Sequence, residues 1–310
     1  MRWTFSPVYA GDDDRLPQEY QSYSTGNAET RALLEKAGMD SNLSRFFSNM
    51  LKYDHLILDP RHLQPESPSD TYHFRALIGS MWPSVRFKPP PDGGEIGWRV
   101  EFRPMEVQMT DFENAAFVVF MALVRRAISH FDLNFYLPME LVGENMRRSV
   151  MRDTVNQNQF WFRESVLPEG DSRGSSPSGS DHSNPGKGYR EMSLKEIMCG
   201  SDRSSNPSWD SPLMKSAAPF PGLVPLVHSL LDAVNVDAET RVVLNGYLAF
   251  VAKRASGELW TTAKWMRHFI RAHDKYNGDS VVSEEICYDL MCAVEDFTLG
   301  RAYGPTFQVI

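Results

Sequence analysis

The chain has 310 residues, of which 42% are hydrophobic and 23% charged, enough for one large domain or two small ones. Its formal net charge of −8 and the lack of a basic tract argue against a nucleic-acid partner. No run of apolar residues is long enough to predict a membrane span, and the polar, acidic beginning lacks the apolar core of a signal peptide. We therefore expect no membrane association and a cytoplasmic location.

The three cysteines are Cys199, Cys287 and Cys292, and none forms a C-x-x-C motif. An odd, sparse set of this kind is typical of reduced thiols in a packed interior. A redox or metal-binding role is the less favoured alternative.

Composition divides the chain into four predicted segments. Residues 1–27 are polar and irregular, and residues 28–166 contain helices, a strand pair and a core helix. Residues 167–212 form a low-complexity insertion that has too few apolar residues to fold, so we predict that it is largely disordered. Residues 213–310 are predicted to be helical.

The first predicted elements are two short helices. Asn27–Met39 carries an apolar face and ends at Gly38, and a second helix begins at Asp40 or Ser41 and continues to about Tyr53. A third short helix is predicted over Tyr72–Trp82. Two extended runs follow on either side of a Pro/Gly-rich turn, which predicts an antiparallel strand pair.

The rest of the chain is predicted to be mainly helical. Thr110 and Glu113 have the spacing of a capping box and open a strongly apolar helix that reaches about Phe131. The later predictions are a helix from Pro138 to about Thr154, an extended piece at Phe160–Arg163, a short helix at SLKEIM, and helices over 222–234, 237–254, 256–273 and 283–299. The predicted class is α+β.

The second strand of the predicted pair, within GWRVEFRP, has an unusual pattern of charges. Side chains alternate along a strand, so one face carries Trp98, Val100 and Phe102 and the other carries Arg99, Glu101 and Arg103. One explanation is a solvated outer face on which Glu101 bridges its neighbours for little stability. The other is a polar active-site floor, where a carboxylate suits Mg²⁺ and a guanidinium suits phosphate.

The remaining candidates for chemistry are weaker. No Walker loop, zinc-protease motif, nucleophile elbow or dinucleotide fingerprint occurs. His73 and His228 are interpreted as packing or surface residues. The KRASGEL segment places Ser256 and Gly257 at a helix start, where backbone N–H groups could hold an anion, but a helix-to-helix turn is the simpler interpretation. We interpret FPGLVPL as a structural lead into a helix.

Several of these segments together resemble one family. RFKPPP followed by GWRVEFRPMEVQMTDFENAAF, then ENM, FPGLVPL, KRASGEL and TTAKWMRHFI, are similar to segments of the eukaryotic-type catalytic subunit of glutamate–cysteine ligase. The resemblance covers most of residues 28–299 apart from the low-complexity insertion. The first motif is long and specific, so a chance match is negligible.

The resemblance implies a fold and an activity. The implied fold is part of a glutamine-synthetase-like curved antiparallel sheet with a large helical region. The implied reaction is the ATP-dependent ligation of L-glutamate to L-cysteine through γ-glutamyl phosphate, the first step of glutathione biosynthesis. The family's metal-binding glutamate matches Glu101, and its phosphate-contacting catalytic arginine matches Arg103. Mg²⁺ is the implied cofactor, ATP the co-substrate, and a regulatory (modifier) subunit a further candidate partner. Arg99 is interpreted as support for Glu101.

The chain also departs from the family. Family chains are considerably longer, and their first half carries further metal-binding glutamates. The family's K-S-R-Y-D segment has no counterpart, because RLPQEYQSYSTGN stands in its place. We therefore expect one incomplete ligase domain, a C-terminal fragment with impaired activity alone. The alternative is a non-catalytic fragment or regulatory protein that associates with a full-length ligase subunit.

Overall fold

A computed structural model provides the coordinates of the chain. It describes residues 9, 13–20, 26–51, 70–72, 75–76, 85–91, 93–167, 188–201 and 220–302. Within these ranges the chain is rich in helix and has two small antiparallel sheets, which confirms the predicted α+β class. None of the helices in the described part is long and apolar enough to cross a membrane. The chain forms two compact units.

The first unit comprises Met1–Glu106 and Tyr136–Met146. After a 3₁₀ turn at Gln18–Tyr20, its regular elements are α1 (Ala28–Lys36), α2 (Ser41–Met50), β1 (Val85–Lys88) and β2 (Arg99–Phe102). The side chain of Asn27 caps α1, and that of Asp40 caps α2 by accepting the N–H groups of two following residues. Both predicted helices are thus confirmed. The predicted helix at Tyr72–Trp82 lies mostly outside the described residues.

A small aromatic core holds the helices and strands of the first unit together. Phe46, Phe47 and Met50 of α2 are buried. The Phe46 ring meets the edge of the Phe87 ring of β1, with the ring centroids 6.2 Å apart. Since Phe87 lies on the apolar side of β1, this contact attaches α2 to one half of the strand pair.

The second unit comprises Val107–Phe135 and Arg147–Ile310. The elements from α3 onward are α3 (Asp111–His130), α4 (Met139–Ser149), α5 (Thr154–Gln157), β3 (Gln159–Arg163), β4 (Tyr189–Ser193), α6 (Leu194–Cys199), α7 (Leu223–Ala233), α8 (Ala238–Ala255), α9 (Thr262–Ala272) and α10 (Glu284–Thr298). Helix α4 begins within the sequence range of the first unit. The capping box of Thr110 and Glu113 is present at the start of α3, as predicted.

The core of the second unit lies between α3, α7 and α8. Phe120 of α3, Val227 of α7 and Phe250 of α8 are all buried in one apolar cluster. One ion pair is buried beside it: Arg254 Nη2 of α8 lies 2.6 Å from Glu113 Oε1 of α3. These side chains are 7% and 2% exposed, so the pair joins the start of α3 to the end of α8 away from water.

Two helix predictions differ from the structure. The single helix expected from Pro138 is broken, because Asp153 adopts a left-handed conformation (φ 50°) before α5. The helix expected from Ser256 begins at Thr262, since Ser256 is the C-cap of α8 and Thr261 caps α9.

Most of the predicted low-complexity insertion lies outside the described residues, which resume at 188–201. The four-segment division stays a prediction.

Candidate active site

The register of the first strand pair gathers charged side chains on one face. In the antiparallel pairing of β1 with β2, Arg86 lies opposite Glu101 and Lys88 lies opposite Arg99. Arg103 follows on the same face, two residues after Glu101. We call these five side chains the charged face of the β1–β2 pair.

The carboxylate of Glu101 is the centre of the charged face. Lys88 Nζ lies 2.5 Å from its Oε2 atom, Arg103 donates to its Oε1 atom, and Arg86 Nε lies 3.9 Å from Oε2. The hydrogen bond from Lys88, helped by the positive charge of Arg86, lowers the pKa of Glu101 although partial burial acts in the opposite direction. The carboxylate is therefore ionised at neutral pH.

Arg99 does not support Glu101 in the way the sequence suggested. Its Nη2 atom donates to the carbonyl of Pro89 at 3.3 Å, and its side chain is exposed. The supporting cations are Arg86 and Lys88, which the sequence analysis did not single out. The available signal was the alternation in VRFK, but it could be used only once the register with β2 was known.

The charged face has more positive than negative charge. Among its five side chains are four cations, those of Arg86, Lys88, Arg99 and Arg103, and the carboxylate of Glu101. The planar donors of its arginines suit phosphate oxygens. The face is therefore chemically suited to a phosphate group.

The apolar side chains of β2 are more exposed than the charged side chains of Glu101 and Arg103, which is the opposite of what a solvated charged face would show. The side chain of Glu101 is 29% exposed and that of Arg103 is 24% exposed. On the apolar face, by contrast, Trp98 is 47%, Val100 64% and Phe102 49% exposed. A solvated outer face would have its charges in water and its apolar residues covered. Glu101 does bridge its neighbours, as the solvated-face interpretation expects, but Glu101 and Arg103 are only partly exposed, so both interpretations stay predictions.

The two other candidate segments form a turn and the start of a helix. At KRASGEL, Gly257 has φ +78°, which suits the turn between α8 and α9, and an added Cβ there would clash with the side chain of Asn156. At FPGLVPL, Gly222 has φ +98° and packs against the backbone that ends α6.

His228 is half-buried in α7, and burial lowers its pKa. His73 lies outside the described residues.

Comparison with known proteins assigns the family. The family model described as glutamate-cysteine ligase matches residues 1–297. The chain belongs to the glutamate–cysteine ligase family. This match extends to the first 27 residues, beyond the stretch over which the sequence motifs showed the resemblance.

Individual ligases agree with this assignment. The chain is 42% identical to the glutamate–cysteine ligase of Neurospora crassa over 94% of its own length, and 35% identical to that of Schizosaccharomyces pombe over 94%. It is 39% identical over 84% of its length to the glutamate–cysteine ligase catalytic subunit of Mus musculus. The chain spans 43%, 40% and 38% of the lengths of these three relatives, respectively.

The charged face can be tested for its fit to the metal ion that such ligases generally need. The described residues hold no cluster of three or more His, Cys, Asp or Glu side chains that could by itself bind a metal. Mg²⁺, however, is commonly bound by one or two carboxylates together with substrate phosphates and water. Glu101, ionised and beside cations that suit phosphate, fits a site of that kind, in which nucleotide supplies the other ligands.

Proposed function

We propose that this chain contributes the phosphate-binding wall of an enzyme that joins L-glutamate to L-cysteine with the energy of ATP, in the cytoplasm. The proposal combines membership of the ligase family with one observation, the carboxylate of Glu101 set among four cationic side chains. The product would be γ-glutamylcysteine, the first intermediate of glutathione synthesis. A glutamine-synthetase-like sheet and association with a modifier subunit belong to the same proposal.

The two chemical steps need the same kind of surface. In the first, an oxygen of the γ-carboxylate of glutamate attacks the γ-phosphorus of ATP, and ADP leaves. In the second, the amine of cysteine attacks the γ-carbonyl carbon of γ-glutamyl phosphate, the amine loses a proton and inorganic phosphate leaves. Negative charge spreads over the phosphoryl oxygens in both steps, so fixed cations beside them lower the barrier.

Three side chains of the charged face have a part in this scheme. Arg103 would donate to the oxygens of the transferred phosphoryl group. Glu101 would offer its carboxylate to Mg²⁺, which when bound neutralises phosphate charge. Lys88, which lies 2.5 Å from Glu101 and lowers its pKa, would turn towards the phosphates when nucleotide is bound.

The first test is nucleotide binding by the 310-residue chain. Mg²⁺-ATP at millimolar concentration should raise the melting temperature, because a ligand that binds only the native state stabilises it. Arg103→Ala should weaken binding by about 10- to 100-fold, since a hydrogen bond to a charged group is worth about 1.5–3 kcal/mol. Arg147→Ala, at an exposed position of α4, is the matched control and should bind like the wild type.

A second variant tests the role of Glu101 by the sign of its effect. Without Mg²⁺, Glu101→Gln should bind ATP more tightly than the wild type, because a negative charge beside the phosphates is removed. With Mg²⁺ it should bind more weakly, because a metal ligand is lost. The same direction of change in both conditions would contradict a metal-binding role.

Ligation itself is tested by the release of phosphate from ATP in the presence of both glutamate and cysteine. Release that requires both amino acids and falls in Arg103→Ala would support the proposal. If millimolar Mg²⁺-ATP neither binds nor is consumed, the proposal fails, and the non-catalytic alternative is favoured.

A further inference from the structure

Lys88 reaches Glu101 diagonally across the β1–β2 ladder. In the register of this ladder, Arg86 lies directly opposite Glu101. Lys88 lies opposite Arg99. The shorter contact is nevertheless the diagonal one, since Lys88 Nζ lies 2.5 Å from Glu101 Oε2 and Arg86 Nε lies 3.9 Å from the same atom. The contact between Lys88 and Glu101 is therefore set by charge and not by direct pairing in the ladder.

Both oxygens of the Glu101 carboxylate are in contact with a cation of the chain. Lys88 contacts Oε2, and Arg103 donates a hydrogen bond to Oε1. Mg²⁺ binds a carboxylate through these same oxygens, at about 2.0–2.1 Å. A metal ion at that distance would lie close to the ammonium or the guanidinium group, and like charges separated by a few ångströms repel each other. The cations around Glu101 therefore oppose the approach of a divalent metal ion.

Of the two contacting cations, Lys88 is the easier to displace. Its side chain is 32% exposed, whereas that of Arg103 is 24% exposed and has its Nε atom shielded from water. Lysine carries a point charge on a flexible four-carbon stem, whereas the donors of arginine form a rigid planar fork. Rotation about the bonds of the Lys88 stem can therefore move its ammonium group away from Glu101 while the backbone of β1 stays in place.

We propose that Lys88 controls the access of Mg²⁺ to Glu101. In the nucleotide-free chain it keeps the metal ion from the carboxylate, and when ATP binds, its ammonium group moves to the phosphates and the carboxylate accepts the metal. This inference rests on the proposed function, because it takes the charged face as the phosphate-binding wall. A triphosphate carries several negative charges, so it attracts the ammonium group more strongly than a single carboxylate does. Nucleotide and metal then bind cooperatively, and each raises the affinity for the other by the same factor.

The alternative is an ion pair that only helps to join β1 to β2. Loss of such a pair would destabilise the two strands and would weaken any metal site built on them, or leave it unchanged. Loss of Lys88 under the proposal has the opposite effect, because Glu101 becomes available to the metal. The sign of the change in metal affinity therefore separates the two roles.

Binding of Mn²⁺ to the purified 310-residue chain without nucleotide gives the first test. Mn²⁺ suits the same oxygen ligands as Mg²⁺, and electron paramagnetic resonance measures the free ion. The wild type should bind Mn²⁺ weakly at neutral pH. Lys88→Met should bind it at least about tenfold more tightly, because a positive charge beside the ligand oxygen is removed. Lys88→Arg keeps the charge and should bind like the wild type.

Two further variants show whether the effect belongs to the contact with Glu101. Arg99→Met removes a positive charge from the same face, but Arg99 donates to the carbonyl of Pro89, so its gain in metal affinity should be smaller than that of Lys88→Met. An equal gain would overturn the specific role of Lys88. Lys88→Met/Glu101→Gln should lose the gain, because the metal ligand itself is changed. Circular dichroism checks the folding of each variant, and Lys88→Gln replaces Lys88→Met if the latter does not fold.

The second test measures the coupling between metal and nucleotide. Isothermal titration calorimetry gives the ATP affinity of the wild type and of Lys88→Met, each with Mg²⁺ and with EDTA. The association of Mg²⁺ with ATP in solution is common to both proteins, so a difference in the gain caused by Mg²⁺ belongs to the chain. That gain should be about tenfold smaller in Lys88→Met, since its carboxylate is available to the metal without nucleotide.

The outcomes distinguish this inference from the proposed function. Equal binding of Mn²⁺ by the wild type and Lys88→Met without nucleotide overturns the control by Lys88, even if both bind Mg²⁺-ATP. Failure of every variant to bind ATP, with or without Mg²⁺, counts against the proposed function and overturns the release of Glu101 by nucleotide, whatever the Mn²⁺ result.

Discussion

The buried ion pair between Glu113 and Arg254 gives the sharpest stability prediction. Arg254→Met keeps the apolar stem but leaves the carboxylate of Glu113 in the core, where that side chain is 2% exposed. The N–H groups of Met109 and Thr110 still donate to Glu113 Oε2, at 3.1 and 3.2 Å, so the residual charge is partly satisfied. The guanidinium carbon of Arg254 also lies 5.0 Å from the centroid of the Phe250 ring. This cation–π interaction is lost in the methionine variant.

The expected cost of Arg254→Met is about 3–5 kcal/mol, because removal of one partner leaves an uncompensated buried charge. At about 2–4 °C per kcal/mol, the melting temperature should fall by about 6–20 °C. Arg241→Met is the control. It breaks an ion pair whose Asp232 side chain is 63% exposed, so it should cost less than about 1 kcal/mol.

A double-mutant cycle separates the charge effect from the packing effect. Glu113→Gln keeps a side chain that can complete the capping box at the third helical position. The double variant Glu113→Gln/Arg254→Met buries no charge, so its loss should be smaller than the sum of the two single losses by at least about 1 kcal/mol. Free energies of unfolding are measured by urea denaturation followed by circular dichroism. Equal slopes of free energy against urea concentration in all variants show that these free energies can be compared. A cost of Arg254→Met equal to that of Arg241→Met, or an additive cycle, would refute the reasoning.

Three further predictions concern single contacts. Lys88→Met should raise the pKa of Glu101, because the hydrogen bond from Lys88 is the largest cause of its low pKa. Carbon-detected NMR titration of the Glu101 carboxyl group measures this pKa in both variants. Burial and the hydrogen bond to Asp13 raise the pKa of Tyr136 to about 12. The neutral phenol therefore contributes its full stability below the ordinary tyrosine pKa, near 10. That contribution is lost as pH rises through about 12. Asp13→Asn should lower the pKa of Tyr136 in an ultraviolet titration. Gly222→Ala should destabilise the chain by about 1–3 kcal/mol or more in urea denaturation, because φ is +98° and the new methyl would lie 2.4 Å from a backbone nitrogen.

The parts of the fold that depend on local chemistry could be predicted from the sequence. Asp40 and Thr110 each cap the helix that they were predicted to open, because a cap is decided within three or four residues. The break before α5 could not be predicted in the same way. It depends on Asp153 adopting a left-handed conformation, where its side chain meets Lys264 from α9.

Long-range pairing accounts for most of what the sequence left open. The capping box identified Glu113 as a helix-start residue, but its ion-pair partner lies 141 positions away in α8. Likewise, the alternation in β2 placed Glu101 and Arg103 on one face, but it could not show that Lys88 and not Arg99 holds the carboxylate. That choice is made by the register of β1, which no residue of β2 specifies alone.

The two faces of β2 lead to one conclusion about this strand. On the charged face, a single carboxylate among four cations is suited to a phosphate-bearing ligand that brings further ligands for a metal. On the apolar face, residues that would normally form a core are in water. Both features are costly for an isolated strand pair, and each is relieved when its face is covered, the charged face by a phosphate-bearing ligand and the apolar face by other apolar groups.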